Sequence, residues 1–158
     1  MTTLLKSLVV SVACCLLASG CATAPSNAPA FSQAGVKKPD SQSSVLVLYR
    51  KLVSPVAFSV SAKLDGKLMV ELPNEAFTWA RLEPGEHVLT IEWPAFAMQR
   101  DQRQELTVEP GKYYFVEFRG DFYVAVGVGY SVQDLGEVSQ AKALEELRRC
   151  CRYVPSRL

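Results

Sequence analysis

Residues 56–72 read VAFSVSAKLDGKLMVEL and carry the clearest fold signal in the chain. Apolar and polar residues alternate on both sides of Asp65-Gly66, as they do in two strands that share one buried face. A two-residue turn there would place Val60 opposite Glu71 and spoil that face. We therefore predict a three-residue loop, Leu64-Asp65-Gly66. It pairs Ala62 with Leu68, Val60 with Val70, and Phe58 with Leu72.

Similar short runs, separated by turn residues, fill the chain after residue 44. Such spacing is typical of an antiparallel β-sandwich or a small barrel. We predict a mainly β domain over residues 45–158, an antiparallel sandwich of about seven to eight strands. The predicted strands are 45–52, 56–63, 67–72, 76–82, 86–93, 103–109, 112–119 and 122–132.

A second hairpin is predicted at Pro84-Gly85, because Pro-Gly suits the centre of a tight turn. Its register places small residues opposite large ones. The predicted pairs are Ala80 with Leu89, Thr78 with Ile91, and Ala76 with Trp93. This register leaves Phe77 and Trp79 on the opposite face of the sheet, where they need a cover.

An amphipathic helix over 139–151 can supply that cover, and Ser139 suits its N-cap. The apolar residues of one helical face are Leu144, Leu147 and Cys151. We favour the interpretation that this C-terminal helix packs over Phe77 and Trp79. In the alternative, Phe77 and Trp79 stay partly exposed and form a patch for a partner.

Residues 1–20 read as a secretory signal with Lys6, an uncharged apolar run and a small-residue end. The run is too short to span a bilayer. The sequence LASGC at 17–21 resembles a bacterial lipobox, which implies cleavage after Gly20 and acylation of Cys21. The alternative is an ordinary signal peptide cut a few residues later, which would leave a soluble periplasmic protein.

Residues 22–44 are rich in Ala, Pro, Ser, Gln and Asn, a composition typical of a flexible linker. We predict that this linker holds the domain away from the membrane. Ala22 follows Cys21, and the absence of Asp at that position favours the outer membrane, with the protein facing the periplasm. After the signal is removed, Cys150 and Cys151 are left in an oxidising compartment. Adjacent cysteines form a strained ring, so we expect thiols or a link to another chain.

The chain shows little of the chemistry that enzymes need. Its 17 basic and 16 acidic residues lack the excess typical of nucleic-acid binding, so no nucleic-acid partner is predicted. For His87, the only histidine, a packed or turn-supporting role is favoured. Gly127-Val128-Gly129 opens no helix, so these glycines indicate a bulge, a bend or a close backbone approach. We predict no enzyme activity, cofactor or metal; the alternative is a periplasmic hydrolase that uses His87 or a thiol of Cys150 or Cys151.

The order of several motifs over 45–152 resembles the bacterial family called domain of unknown function 2846. The motifs are Val47-Leu48-Tyr49-Arg50, Leu64-Asp65-Gly66-Lys67, Leu82-Glu83-Pro84-Gly85-Glu86-His87, Gly111-Lys112-Tyr113-Tyr114 and a helix that ends in cysteine. The Pro-Gly-Glu-His turn is also similar to the PEGA β domain. Members of the first family are often lipoproteins with no defined activity, so the resemblance implies no functional residue here.

Together these patterns predict a lipid-anchored protein of the bacterial cell envelope. It would act as a non-enzymatic binding or structural module, with an envelope protein or a glycan as its partner. The predicted site residues are the lipid attachment at Cys21 and the partner patch of Phe77 and Trp79.

Overall fold

The structure is a computed structural model that describes residues 22–158. The signal predicted over 1–20 and the lipid attachment predicted at Cys21 lie outside the described residues. Strands of the described chain form two stacked sheets, and a helix covers the outer face of the larger sheet. The predicted fold class, a mainly β sandwich with a C-terminal helix, is confirmed.

The described chain contains nine strands, one α-helix and two short 3-10 helices. The strands are β1 (Ser44–Arg50), β2 (Val60–Leu64), β3 (Lys67–Leu72), β4 (Ala76–Leu82), β5 (Gly85–Glu92), β6 (Gln102–Val108), β7 (Tyr113–Ala125), β8 (Val128–Val138) and β9 (Arg152–Tyr153). The helix α1 spans Gln140–Cys150, and the 3-10 helices span Phe31–Gln33 and Ala95–Ala97. One sheet has the strand order β8-β7-β1-β4-β9, and the other has the order β3-β2-β5-β6.

β1 is the central strand of the molecule, since all of its residues are buried. β4 pairs with it in antiparallel fashion on one side, and β7 pairs with it in parallel on the other. Leu46 and Leu48 face the four-stranded sheet, whereas Val47 and Tyr49 face the helix. A nearly continuous apolar run is what a strand with two covered faces requires.

The helix α1 covers the outer face of the five-stranded sheet. The Ser139 side chain accepts a hydrogen bond from the Lys142 amide at 3.4 Å, which confirms the predicted N-cap. The side chains buried together here include Phe77, Ala143, Leu147 and Cys151. Phe77 has no exposed surface and Trp79 is partly buried. The predicted cover is confirmed for Phe77, so the alternative of a partner patch is wrong for that residue, whereas Trp79 stays partly exposed.

The β2–β3 hairpin forms in a register that differs from the predicted one. Asp65 and Gly66 both have positive φ and make a two-residue turn. A β-bulge at Met69 then shifts the pairing and returns the apolar residues to one face. The predicted three-residue loop is therefore wrong. The observed pairs are Leu64 with Lys67, Ala62 with Val70, and Val60 with Leu72.

β4 and β5 do not form the predicted hairpin, so the predicted pairs such as Ala80 with Leu89 are wrong. β4 pairs with β1 and β9, whereas β5 pairs with β2 and β6 in the other sheet. The chain crosses between the sheets at Pro84-Gly85, where Gly85 has a φ of 138° that side chains disfavour. The physical reason is burial, because β4 is covered on both faces and β5 buries only alternate residues.

Residues 22–44 pack against the sandwich, so the prediction of a flexible linker is wrong for this segment. Its backbone bridges are Thr23 with Asn74 and Ala30 with Arg152. Ala24 is buried in the core, and the ring of Phe31 lies 5.3 Å from that of Phe77. The segment is held because its backbone hydrogen-bonds to strand β9 and to the chain that enters β4, and it does not space the domain away from its attachment point.

Arg50, at the end of β1, is buried together with its charge. Its guanidinium donates to three carbonyl oxygens, those of Phe58 and Leu72 at 3.0 Å and that of Val53 at 3.1 Å. The group also lies over the rings of Trp93 and Phe118, 5.0 and 5.7 Å from their centroids. No carboxylate among residues 22–158 forms an ion pair with it. Burial lowers the pKa of Arg50 to about 10, which leaves it cationic at neutral pH.

We predict that Arg50→Lys lowers the free energy of unfolding by about 3 kcal/mol, because an ammonium group cannot reach three carbonyl oxygens in the plane of a guanidinium. Urea denaturation followed by tryptophan fluorescence measures the loss. Arg103→Lys on β6 is the matched control, since Arg103 is exposed. It should change stability by less than about 0.5 kcal/mol. Equal stability of the two variants would contradict the role assigned to Arg50.

Candidate interaction surface

β7 and β8 run beyond the rest of the sandwich as a two-stranded hairpin. β7 pairs with β1 only as far as Phe118 but continues to Ala125. Val126 and Gly127 form the turn, and both have positive φ. The predicted strand over 122–132 is therefore wrong, because a turn lies in its middle where Gly127 accepts the left-handed conformation. The prediction of a bend is confirmed for Gly127, whereas Gly129 lies within β8.

The hairpin is apolar on both faces. Tyr123 and Tyr130 are cross-strand partners on one face, stacked with their ring centroids 5.6 Å apart. Phe122 lies on the other face, and its ring covers Gly129. A side chain at Gly129 would collide with that ring, so the predicted close approach at this glycine is also confirmed.

Nearly all exposed large apolar side chains of the described chain gather beside this hairpin. They are Leu52, Phe96, Met98, Phe122, Tyr123, Val124, Val126, Val128, Tyr130 and Val132. Within the described residues, the remaining exposed one is Leu158. We call the part of the hairpin beyond Phe118, together with loops 51–59 and 93–101, the apolar end. Monomeric soluble proteins rarely expose so many contiguous apolar side chains, which makes this end a candidate interaction surface.

A network of polar side chains fixes the base of the hairpin to both loops. Gln133 on β8 donates to the Ser54 carbonyl oxygen and to Gln99 Oε1, each at 2.9 Å. Its own Oε1 accepts from the Trp93 indole at 2.9 Å. Ser131 also donates to Gln99, at 2.8 Å. The hairpin therefore keeps a defined orientation relative to the loops.

An open cavity of about 420 Å³ lies between the hairpin and loop 51–59. Its walls include Pro55 and Val56 from the loop and Phe122 and Tyr130 from the hairpin. Most of the surface that these residues present is apolar, so the cavity suits hydrocarbon better than a charged ligand.

Asn74 fixes the residue that follows Cys21 to the apolar end. Its side-chain amide donates to the carbonyl oxygens of Ala22 at 3.2 Å and Val56 at 2.9 Å. Its Oδ1 accepts from the Val53 amide at 2.9 Å. The Ala22 amide also donates to the Val56 carbonyl oxygen at 3.1 Å. The described chain thus begins at the apolar end, against a loop that lines the cavity.

His87 supports the turn between β2 and β3, far along the sheets from the apolar end. Its Nδ1 lies 2.7 Å from Asp65 Oδ2, and its Nε2 lies 2.8 Å from the Glu83 carbonyl oxygen. Burial lowers the pKa of His87, but these two acceptors outweigh burial and raise it above its ordinary 6.5. Burial raises the pKa of Asp65, and the bonds from His87 and the Val88 amide outweigh it and lower that pKa. The predicted turn-supporting role is confirmed.

Cys150 and Cys151 are joined to each other by a disulfide. The prediction of thiols or a link to another chain is therefore wrong. The helix ends at Cys150, and the backbone at Cys151 is extended. The pair lies at the start of β9, beside the Ala76 end of β4, whereas His87 lies on the other sheet near the opposite end. The structure does not bring His87 and the two cysteines together.

A buried carboxylate cluster attaches α1 to the sheet. Glu117 on β7 has no exposed surface, and its oxygens lie 2.8 Å from Lys51 Nζ and 2.7 Å from Lys142 Nζ. Glu146 on α1 pairs with Lys51 at 2.8 Å and accepts from the Tyr49 hydroxyl. Burial lowers the pKa of Lys51, but its bonds to Glu117 and Glu146 outweigh burial and raise it. Because these charges are paired with one another, we interpret the cluster as structural.

Residues 22–158 contain no group of three or more His, Cys, Asp and Glu side chains arranged to hold a metal ion. Within the same residues, no helix has the length and apolar character needed to cross a membrane.

We predict that Asn74→Ala releases residues 22–24 from the fold. The change leaves the Val53 amide without its partner and removes one of the two donors to each of the Ala22 and Val56 carbonyl oxygens, which should lower the free energy of unfolding by about 2 kcal/mol. Hydrogen exchange should show loss of protection at the amides of Ala22 and Ala24. Asn27→Ala is the matched control, because Asn27 is exposed on the same segment. Unchanged protection at Ala24 in Asn74→Ala would contradict the role of this side chain.

We predict that the Asp65–His87 pair stabilises the fold most in mildly acidic solution. A raised His87 pKa gives stability that is complete below the ordinary pKa of 6.5 and is lost as the pH rises through the folded value. A lowered Asp65 pKa gives stability that is present above the ordinary 3.8 and is lost as the pH falls through the folded value. The His87→Gln variant should therefore lose about 0.5 kcal/mol between about pH 4 and 6.5, and less at higher pH.

Urea denaturation at a series of pH values measures this difference. Gln104→Asn, on the neighbouring strand β6, is the control and should show a difference that does not vary with pH. A His87→Gln effect that is as large at pH 9 as at pH 5 would contradict the ionic origin of the stabilisation.

Comparison with known proteins places this chain beside one relative of unknown function. No family model matches the chain. A protein of Haemophilus influenzae described as uncharacterized is 26% identical to it over 144 residues, which cover 90% of this chain and 82% of the relative. The similarity therefore extends over most of both chains. The resemblance to domain of unknown function 2846, or to the PEGA β domain, stays a prediction.

Proposed function

We propose that this protein is a lipid-anchored protein of the bacterial cell envelope, attached through Cys21, and that it acts as a non-enzymatic binding or structural module. The observation that carries the proposal is the position of Ala22. This residue is bonded to Val56 at the apolar end, so a lipid on Cys21 would emerge beside the most apolar surface of the described chain.

The chemistry of the anchor agrees with a stable attachment. Each methylene of an acyl chain contributes about 0.8 kcal/mol when it enters a bilayer, and two or more chains hold a protein where one chain is marginal. With Ala22 at the position after Cys21, we place the protein in the outer membrane, facing the periplasm.

The contacts of the candidate catalytic residues support a binding module rather than a hydrolase. Both ring nitrogens of His87 are engaged by Asp65 and Glu83, and both sulfurs of Cys150 and Cys151 are engaged by each other. A nucleophile with an adjacent base is the arrangement that a hydrolase needs. The exposed surfaces away from the apolar end would then contact an envelope protein or a glycan.

We predict that Cys21→Ser in the full chain removes the protein from the membrane fraction in mature form, because a serine hydroxyl does not receive the lipid. The variant should appear as soluble periplasmic protein or as an uncleaved precursor, and it should fail to incorporate labelled palmitate. Cell fractionation and metabolic labelling measure both outcomes.

Cys14→Ser and Cys15→Ser are matched controls within the same apolar stretch. Both variants should be processed, labelled and retained in the membrane like the native chain. A Cys21→Ser protein that is cleaved normally and still found in the membrane would rule out the anchor.

A further inference from the structure

We propose that the tip of the β7–β8 hairpin lies in the interface of the phospholipid bilayer that holds the anchor. This inference rests on the proposed function, because the anchor on Cys21 brings that bilayer to the apolar end. The residues of the tip are Val124, Ala125, Val126, Gly127 and Val128.

From its tip to its base, the hairpin carries apolar, then aromatic, then charged side chains. A bilayer changes in the same order, from acyl chains through headgroups to water. Valines occupy the tip, and Val126 is fully exposed. The stacked pair Tyr123 and Tyr130 follows, and aromatic rings with one polar group prefer the level of lipid headgroups. Charged residues return only at Asp121 and Asp134, at the base.

The length of the apolar section fits a shallow insertion. Two cross-strand pairs, Val124 with Gly129 and Ala125 with Val128, separate the tyrosine pair from the turn. At a rise of about 3.3 Å per residue, the tip reaches roughly 7–10 Å beyond the tyrosines. Interfacial segments insert to a depth of about 5–10 Å.

A shallow position also lets the unpaired backbone amide and carbonyl groups of the hairpin form hydrogen bonds. Among the described residues, only β8 pairs with β7 beyond Phe118, and β8 is the outermost strand of its sheet. The free edges leave amide and carbonyl groups that would be costly in hydrocarbon but that water and headgroups satisfy at the interface.

The exposure of both faces favours lipid over a protein partner. A protein that adds a strand covers one edge, and a protein groove covers one face of a hairpin. Here Val128 and Tyr130 are exposed on one face, and Phe122 and Val124 are exposed on the other. Lipid surrounds a tip on all sides. Because residues 122–133 carry no charge, the insertion should depend little on anionic lipid.

The experiment uses the full chain, processed and lipidated in cells, with Val126→Cys labelled by an environment-sensitive fluorophore. Cys21 carries lipid and Cys150 and Cys151 are paired, so residue 126 is the thiol available for labelling. The protein is reconstituted in vesicles of phosphatidylethanolamine and phosphatidylglycerol. We expect the fluorophore at residue 126 to emit at least about twofold more strongly than the same fluorophore at residue 126 of the soluble Cys21→Ser chain without detergent. Brominated acyl chains should quench this emission strongly.

Lys67→Cys is the matched control, because Lys67 follows the tight turn at the opposite end of the sandwich and is exposed. Its probe should remain solvent-like and unquenched. A second variant, Val126→Cys with Val124→Ser and Val128→Thr, should lose most of the quenching while circular dichroism stays unchanged.

The outcomes separate the inference from the proposed function. If the protein floats with the vesicles but the probe at residue 126 behaves like the probe at residue 67, the anchor stands and the hairpin inference is overturned. A probe at residue 126 that brightens without quenching by brominated chains is covered by protein, such as a second copy, and this also overturns the inference. If the lipidated chain does not float, both proposals fail.

Discussion

The burial of one cation without a carboxylate partner organises the apolar end of this protein. A guanidinium taken out of water must be satisfied by hydrogen bonds or by aromatic faces, and Arg50 uses both. Its three carbonyl acceptors come from the loop after β1, the approach to β2 and the end of β3, so one side chain fixes three segments. Trp93 extends the chain of contacts, because its ring covers Arg50 and its indole binds Gln133 at the base of the hairpin. The orientation of an exposed hairpin therefore depends on a charge in the core.

Much of the secondary structure is predictable because alternation and turn residues report burial directly. Every predicted strand before residue 110 has an observed counterpart, and the helix begins after Ser139 as its cap predicts. Strand partners are harder to predict, since they depend on which faces are covered. Nothing in the residues around Met69 predicts a bulge. The second face of β4 is covered by residues that are distant in sequence, among them Phe31 and Tyr153, whose rings pack on Phe77. Asn74 was missed for a similar reason: it reads as a turn residue, and its partners at residues 22, 53 and 56 are distant in sequence.

The candidate interaction surface shows that an apolar sequence pattern does not distinguish a buried strand from an exposed one. β1 and the hairpin over 122–132 have nearly the same character in sequence, a run of valines and aromatic residues with few charges. β1 is buried on both faces, and the hairpin is exposed on both faces. An apolar sequence pattern indicates that both faces of a strand are removed from water. It does not indicate whether protein or another apolar phase covers them. The turn at Val126 is also hard to predict from sequence, because Val126 has a positive φ and β-branched residues seldom adopt that conformation.

The parallel pairing of β1 with β7 has a consequence for how the chain folds. Val45 pairs with Tyr113, so the whole stretch from Lys51 to Lys112 must be synthesised before the central strand gains its second neighbour. Until then, one edge of this apolar strand stays open to other chains even after β4 has paired with the opposite edge. Such non-local pairing slows folding and lengthens the time during which aggregation competes with it. Completion of the central sheet is therefore a late, long-range step in the folding of this domain.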